Sequence, residues 1–156
     1  MNPMTRLAVL IGRQSFMPRF LPQIVWLDQT IHRLTRERFS LLSLAGLPEL
    51  FLTVRGRRSG EPRTTPLLCV PHEGGWLVAG SNWGAPKLPI WVLNLRAAGE
   101  AEVTFKGRHT AVLARQVESE ERAALWRVMN RTWPNYDHYA SRTDREIPVF
   151  VLTPRA

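Results

Sequence analysis

The residues of this sequence best suited to chemistry lie in a short arginine-rich stretch, residues 55–63. It reads RGRRSGEPR, so four arginines and two glycines surround one turn between two apolar runs. Guanidinium groups bind phosphate and carboxylate through paired hydrogen bonds, and backbone N–H groups in a turn add further donors. The stretch predicts a site for a phosphate or a polycarboxylate, with a merely solvated basic turn as the alternative. It matches neither a Walker A motif nor a dinucleotide-binding fingerprint.

A second stretch, residues 79–95, reads AGSNWGAPKLPIWVLNL and joins the end of a strand to a helix. Small residues at a strand end let a flat ring approach the backbone, and the N-terminus of a helix favours negative charge. Asn94 stands in mid-helix among apolar neighbours, where a functional contact and a buried structural hydrogen bond are equally good interpretations. The polar side chains of the stretch are those of Ser81, Asn82, Lys87 and Asn94.

The third stretch is residues 133–139, WPNYDHY, which holds both tyrosines of the chain, Tyr136 and Tyr139, beside Trp133. We predict an aromatic-rich loop here. A phenol on a loop can stack on a ring and donate a proton. The alternative is that these side chains pack against the end of a helix.

Other kinds of site are not expected from the residue pattern. The four histidines lack zincin spacing and a set of glutamate or cysteine partners, so we expect no metal site. There is no Gly-x-Ser-x-Gly motif, and nothing resembles a nucleic-acid recognition helix or a zinc finger. The single cysteine, Cys69, excludes a disulfide framework, and its apolar setting predicts a buried structural thiol.

The charge of the chain agrees with an anionic partner. Among 156 residues, 21 are basic and 13 acidic, which gives a net charge of +8, and 19 of the basic residues are arginine. Ten arginines and only four acids lie in residues 1–63. An arginine surplus permits bidentate recognition of phosphate or carboxylate, although a GC-rich genome also favours arginine codons. The 44% hydrophobic content is enough for the core of one domain.

Apolar residues at helical spacing predict one amphipathic helix from Phe16 to about Ser40. The helix either lies over the core or, as a basic helix that carries Trp26, lies on an anionic membrane surface. Residues 41–50 then form a linker, so we divide the chain into residues 1–48 and a main domain at 49–156. The apolar positions of the helix are Phe20, Ile24, Leu27, Ile31 and Leu34, and the basic ones at its end are Arg33, Arg36 and Arg38.

No apolar stretch is long enough to span a membrane, and residues 7–11 are too short for the core of a signal peptide. We therefore expect a cytoplasmic protein that contacts the inner face of the plasma membrane at most peripherally.

The main domain alternates strands with tight turns. The pattern predicts helices at residues 88–98 and from Ser119 to just before Pro134, and the strands come in hairpins. With too few helices for parallel crossovers, the fold class is α+β, mainly β: an antiparallel sheet or small barrel with peripheral helices. Strands are predicted at residues 50–55, 63–70, 76–81, 101–105, 109–117 and 147–152.

Taken together, the three stretches closely resemble the deazaflavin-dependent nitroreductase family, also described as coenzyme F420-dependent quinone reductases. The likeness runs in unbroken order from Leu50 to Pro154 and includes GRRSGEPRTTPLLCV, WPNYDHY and RTDREIPVFVLTP. It implies a split β-barrel related to the FMN-binding pyridoxamine oxidase fold. It also implies an oxidoreductase that transfers a hydride from reduced F420 to a quinone or another conjugated acceptor.

The resemblance assigns roles to individual positions. It implies that the arginine turn holds the phosphate and glutamate tail of F420, while residues 79–81 lie under its ring. Ser81 then orients the reactants, and Tyr136 or Tyr139 caps the pocket or supplies a proton. The implied cofactor-binding residues are Phe51, Leu52, Thr53, Arg57, Arg58, Ser59, Gly60, Arg63, Thr65, Pro66, Ala79, Gly80, Ser81, Asn82, Pro89, Trp91 and Asn94.

The implied substrate pocket is formed by Leu68, Trp133 and Tyr136. Nitroimidazole-activating members carry a tyrosine, a lysine and a tyrosine where this chain has Leu68, Asn82 and Trp133. Cofactor binding is expected to survive these differences, whereas nitroimidazole reduction is left open. The more apolar pocket favours a lipophilic acceptor.

Two alternatives remain at this stage. One is an FMN-binding protein of the same fold, which the tail-binding arginines fit less naturally because FMN carries one phosphate and no glutamates. The other is a non-enzymatic basic module on anionic lipid or nucleic acid. The sequence makes no prediction of the oligomeric state.

Overall fold

Helices precede the sheet in the computed structural model, which describes residues 3–14, 16–34 and 40–156. Helix α1 spans Pro3–Gly12, a 3₁₀ turn spans Met17–Phe20, and α2 spans Leu21–Leu34. The single helix expected from Phe16 is thus a 3₁₀ turn followed by α2, and its predicted basic residues Arg36 and Arg38 lie outside the described residues. None of the helices in the described ranges is long and apolar enough to cross a membrane.

A seven-stranded antiparallel sheet lies within residues 49–154, in the order β2-β1-β5-β6-β7-β4-β3. Its two edge strands, β2 and β3, follow each other directly along the chain, so the sheet curls into a half-barrel. The predicted hairpins and antiparallel sheet are confirmed. The strands are β1 (Glu49–Arg55), β2 (Pro62–Leu68), β3 (Val70–His72), β4 (Gly75–Ala79), β5 (Glu100–Phe105), β6 (Arg108–Val117) and β7 (Val149–Pro154).

Helices α3 (Leu41–Leu44), α4 (Ile90–Ala98), α5 (Ser119–Thr132) and α6 (Asn135–Ala140) surround this sheet. The short α3 replaces part of the linker predicted at residues 41–50. The loop predicted at residues 133–139 is wrong, because Asn135–Ala140 is helical. Pro134 stands just before α6, where its fixed φ suits the start of a helix and no backbone N–H is needed.

Two apolar clusters hold the fold together. Alternation along β1 buries Leu50, Leu52 and Val54 inside the barrel, where α4 covers them with Trp91, Val92 and Leu95. Helix α4 ends where predicted, at Gly99, whose left-handed conformation lets its N–H donate to the Leu95 carbonyl. The second cluster joins the sheet to α1, α5 and α6 and is formed by Val9, Leu47, Val70, Leu77, Val117, Met129, Trp133, Tyr136, Tyr139, Ile147 and Val149.

Cys69 lies between β2 and β3 and is fully buried, as the sequence predicts. Burial raises the pKa of its thiol to about 12, with the nearby Glu49 adding to the effect. Since the thiolate is the reactive form, we expect iodoacetamide to leave Cys69 unmodified in the folded protein at mildly alkaline pH. Mass spectrometry should detect alkylation only after unfolding in guanidinium chloride. Rapid labelling of the folded chain would contradict this burial.

A hydrogen-bonded cluster joins the start of α3 to β1 of the barrel. The Ser40 and Ser43 hydroxyls each accept from the other's backbone N–H, at 3.1 Å and 2.8 Å, and so cap α3. The buried Ser40 hydroxyl also donates to the Glu49 carboxylate. The other carboxylate oxygen of Glu49 is buried and has no partner in the described part of the chain. Desolvation, supported by the like charge of Asp28, raises the pKa of Glu49 to about 7 against the opposing Ser40 hydrogen bond.

This raised pKa predicts a dependence of stability on pH. The folded chain keeps a proton on Glu49 that the unfolded chain, with a pKa of 4.5, releases, so the free energy of unfolding falls as pH rises from 4.5 to about 7. In Glu49→Gln, this fall in the free energy of unfolding with rising pH should be absent. Because the side chain is partly exposed, we expect the variant to gain about 1–2 kcal/mol relative to wild type between pH 5 and pH 8. Urea unfolding at both pH values measures the gain, and identical pH profiles would refute it.

Candidate active site

A cavity of about 680 Å³ opens between the β1–β2 turn and the first turns of α4. It brings together residues that lie more than thirty positions apart in the sequence. Most of its polar lining consists of residues that the resemblance assigns to the cofactor. The predicted residues that line it are Arg57, Arg58, Ser59, Arg63, Thr65, Trp91 and Asn94.

The positive charge of this cavity is not neutralised by nearby acids. The side chains of Arg57, Arg58 and Arg63 are exposed, and no ion pair within the described ranges involves them. Arg55 differs, because its guanidinium donates to the Gly60 carbonyl at 3.0 Å and so closes the turn. Three arginines are therefore available to an anion, and a fourth holds their backbone.

Asn94 connects the arginine turn to α4. Its side chain is 3% exposed, and its Oδ1 accepts a hydrogen bond of 3.1 Å from the backbone N–H of Arg57. This is the buried structural hydrogen bond that the sequence offered as one of two interpretations. Because the same residue lines the cavity, it fixes the turn at the place where a ligand would bind.

The predicted strand segment at residues 51–53 is divided between the two faces of β1. Leu52 is fully buried in the barrel, so it can offer a ligand only its backbone. Phe51 and Thr53 lie on the outer face and line a second cavity of about 760 Å³. Pro66 pairs with Phe51 across the β1–β2 ladder. Successive residues of a strand point to opposite faces, so these neighbouring positions cannot all line one cavity with their side chains.

The loop that joins β4 to α4 carries the predicted ring-binding residues. Ala79, Gly80, Ser81 and Asn82 do not line the arginine cavity, and Pro89 stands at the capping position of α4. Ser81 and Asn82 are half-buried, and the Asn82 amide donates to the Lys87 carbonyl at 2.8 Å. Helix α4 therefore links the two parts of the predicted site, with the loop before it and the cavity along its first turns.

The predicted tyrosines lie in the second apolar cluster, with Tyr136 only 2% and Tyr139 only 4% exposed. Burial raises the pKa of both phenols, and hydrogen bonds from Trp133 and Asn135 partly oppose the shift at Tyr139. The Tyr139 ring lies 5.9 Å from that of Trp83, two residues after Ser81. The tyrosines are therefore beside the Ser81 loop but inside the fold, and their catalytic role stays a prediction.

We predicted no role for residues 3–12 from the sequence. They form helix α1, which covers the aromatic side chains of the second apolar cluster. The buried Asn135 amide donates to the Val9 carbonyl at 2.9 Å, and Arg13 Nε donates to Asn135 Oδ1 at 3.3 Å. One turn earlier on the same buried face of the helix, Thr5 donates to the Ala45 carbonyl at 2.8 Å. The predicted substrate-pocket residues Leu68, Trp133 and Tyr136 thus share one apolar cluster that α1 closes.

The model of the F420H(2)-dependent quinone reductase family matches residues 30–154. The chain belongs to this family. Membership makes it an oxidoreductase with coenzyme F420 as its cofactor, and it confirms the resemblance seen in the sequence. An F420H(2)-dependent quinone reductase of Mycobacterium tuberculosis is 34% identical over 136 residues, which cover 85% of this chain and 91% of the relative.

Solved structures of other proteins share the fold of this member of the F420H(2)-dependent quinone reductase family. An F420-H2 dependent reductase (FDR-A) superposes with a TM-score of 0.63 and 34% identity, covering 67% of this chain and 93% of the other. A structure described as a domain-swapped dimer gives a TM-score of 0.65 at 28% identity, covering 82% and 97%. The expected split β-barrel is therefore confirmed.

The residues of the arginine cavity fit coenzyme F420. Its tail carries a phosphodiester and several carboxylates, and Arg57, Arg58 and Arg63 offer planar donors that form no ion pair with the acids of the described ranges. The exposed β1–β2 turn leaves room for an extended tail, whereas the deeper residues Trp91 and Asn94 limit the cavity on the α4 side.

Proposed function

We propose that this protein reduces a lipophilic quinone with F420H2, with the anionic tail of the cofactor in the arginine cavity and its ring at the β4–α4 loop. The observation that carries the proposal is the cavity itself, where three arginines without acidic partners in the described ranges face one space. The loop with Ser81 precedes the helix that forms one wall of that cavity.

Reduced F420 supplies a hydride when bound, and the quinone takes up that hydride and a proton to become a hydroquinone. The protein contributes binding and orientation. Arg57, Arg58 and Arg63 hold the tail, and Asn94 keeps their turn against α4. Binding energy gained at the tail, far from the reacting ring, then fixes the ring relative to Ser81, which orients the reactants with its hydroxyl.

We assign the tyrosines to the closed side of this site. The raised pKa values keep both phenols protonated, as a proton donor must be. Tyr139 is the better placed, because its ring contacts Trp83 of the β4–α4 loop. Tyr136 packs against Trp126 at 5.6 Å, farther along the second cluster. In the proposal, Tyr139 caps the ring or supplies the proton, and Tyr136 supports it.

Exposed apolar side chains near the N-terminus support the proposal that the protein takes a lipophilic acceptor from a membrane. While one face of α1 packs on the aromatic cluster, the other leaves Met4, Leu7 and Leu10 more than half exposed. On α2, Trp26 is 67% exposed. Arginines occur among these apolar residues, which suits the surface of an anionic membrane. We propose a cytoplasmic protein that rests on the inner face of the membrane through α1 and α2.

The enzymatic proposal is tested with purified protein, F420H2 and a series of quinones that differ only in the length of their isoprenoid tail. We expect F420H2 oxidation, and a kcat/KM that rises with tail length until solubility limits it. Fluorescence titrations with F420 and FMN provide the comparison. Preferential binding of FMN, or no oxidation with any quinone, would overturn the proposal.

Membrane contact is tested separately by sedimentation of the full chain with vesicles. We expect co-sedimentation with vesicles rich in phosphatidylglycerol but not with pure phosphatidylcholine. The double variant Leu7→Gln/Leu10→Gln should lose it, whereas Leu113→Gln, another exposed leucine on β6, should not. Equal sedimentation of the two variants would remove α1 from this role.

A further inference from the structure

We propose that Arg145 is a positioning residue that holds the β4–α4 loop in the conformation needed for hydride transfer. The inference rests on the proposed function, because that function gives Ser81 its role. Arg145 is half-buried in the segment between α6 and β7. Its guanidinium donates to three carbonyls, at 3.1 Å to Gly80, 3.0 Å to Ser81 and 3.1 Å to Ala85.

The segment between these carbonyls has an unfavourable backbone conformation. Asn82, Trp83 and Gly84 follow one another with φ values of 44°, 57° and 78°. Left-handed residues other than glycine persist only where the surrounding structure imposes that conformation. Arg145 bonds the carbonyls on both sides of this segment, so a residue outside the loop spans all three left-handed positions.

Bonds within the loop fix less of it. The Gly84 N–H donates to the Ser81 carbonyl at 2.8 Å, and the Ala85 N–H to the Asn82 carbonyl at 2.9 Å. Both are local turn bonds. From outside the loop, Arg142 Nη1 donates to the Trp83 carbonyl at 3.4 Å, and the Gly80 N–H donates to the Pro148 carbonyl at 2.9 Å. Among the described residues, only Arg145 bonds three carbonyls of this stretch, and it ties them to the segment before β7, which pairs with β4 in the sheet.

The three hydrogen bonds also determine where the peptide N–H groups point. In a trans peptide the C=O and N–H directions are opposite, and this chain has no cis peptide among its described residues. Since the Gly80 and Ser81 carbonyls face Arg145, the N–H groups of Ser81 and Asn82 face away from it. Neither N–H has an acceptor within the described ranges. Adjacent free N–H donors suit a ring carbonyl on which negative charge develops.

Arg122 offers a matched control for Arg145. It is also a half-buried arginine that donates to a backbone carbonyl near β7, that of Ile147, at 3.2 Å from Nε and 2.7 Å from Nη2. It makes no contact with the β4–α4 loop in the described structure. Arg122→Ala and Arg145→Ala therefore remove the same kind of support, and only Arg145→Ala removes it from the loop.

The experiment compares both variants with wild type by three measurements: F420 affinity, kcat with saturating F420H2 and quinone, and amide hydrogen exchange. For Arg145→Ala we expect kcat to fall by about 10- to 100-fold with F420 affinity within about threefold, because a misplaced loop affects the ring and not the tail. Exchange at the Gly84 and Ala85 amides, which donate within the loop, should rise about tenfold or more. Arg122→Ala should leave all three within about twofold of wild type.

Arg145→Lys keeps the charge but cannot reach three carbonyls together, so its kcat should lie between those of wild type and Arg145→Ala. It also serves as the test protein if Arg145→Ala fails to fold. Equal losses in Arg122→Ala, or unchanged exchange at the Gly84 and Ala85 amides, would overturn the positioning role. If wild type oxidises no F420H2, the proposed function fails, whereas the exchange measurement still decides whether Arg145 holds the loop.

Discussion

Replacing Arg57 and Arg63 together by alanine should weaken F420 binding by about 2–4 kcal/mol, or roughly 30- to 1,000-fold. A hydrogen bond to a charged group contributes about 1.5–3 kcal/mol, and solvent screening at these exposed side chains reduces that contribution. The cofactor's ring contacts are unchanged in this variant, so kcat at saturating F420H2 should fall much less than affinity. Fluorescence titration of the purified protein measures the change.

The control for this experiment removes the same charge elsewhere. Arg108 and Arg131 are exposed and lie outside the arginine cavity, so Arg108→Ala/Arg131→Ala lowers the net charge equally. Wild-type affinity should also fall steeply with added salt, and the Arg57→Ala/Arg63→Ala variant should respond less. Equal affinity losses in the two double variants would mean that net charge alone attracts the cofactor, and an unchanged affinity would remove the tail from this turn.

Local patterns predicted the parts of the site that a few neighbouring residues determine. The arginine turn follows from turn-forming residues between two alternating apolar runs, and β1, β5 and β6 begin within one residue of their predicted start. Helix α4 likewise ends at the predicted glycine cap. Such elements depend on contacts within a few positions along the chain, which the order of residues records directly.

Contacts between segments that lie far apart in the sequence were not predicted. Alternation shows that Phe51 and Thr53 share a face of β1, but not that this face turns away from the arginine cavity. Arg145 lies 60 or more positions from the carbonyls that it binds, and nothing in its neighbouring residues marks it as different from the other arginines. The buried carboxyl of Glu49 escaped for the same reason, since its desolvation comes from elements that pack on it only in the folded chain.

For the two tyrosines, the local pattern predicted some contacts and missed others. Their grouping within residues 133–139 identified a real aromatic cluster, and the alternative of packing at a helix end describes their burial better than an open loop does. The amino-acid sequence did not predict that α1 covers these two tyrosines. Gly12, at the end of α1, lies so close that a Cβ there would be 2.6 Å from the Asn135 amide nitrogen. The residues predicted to form the acceptor pocket and helix α1 are therefore packed as one structural unit.

The close packing of the β4–α4 loop on α6 predicts a large effect of Gly84→Ala on stability. Gly84 has a φ of 78°, and a Cβ there would lie 2.6 Å from the Tyr139 carbonyl oxygen and 2.9 Å from the Arg142 Cβ. The left-handed conformation costs a residue other than glycine about 1–2 kcal/mol, and a contact with backbone that no side-chain rotation relieves adds about 1–3 kcal/mol. We expect urea unfolding to show a loss of about 3 kcal/mol or more.

Gly107→Ala separates the two contributions, because Gly107 has nearly the same φ, 77°, and nothing within 4 Å of an added Cβ. It should lose only the conformational part, about 1–2 kcal/mol, and keep full activity. Gly84→Ala should additionally lower kcat, since relief of its contact with the Tyr139 carbonyl moves the loop that carries Ser81 away from α6. Equal stability losses in the two variants would show that the loop and α6 can separate freely, and the aromatic cluster would then have no means of fixing the position of Ser81.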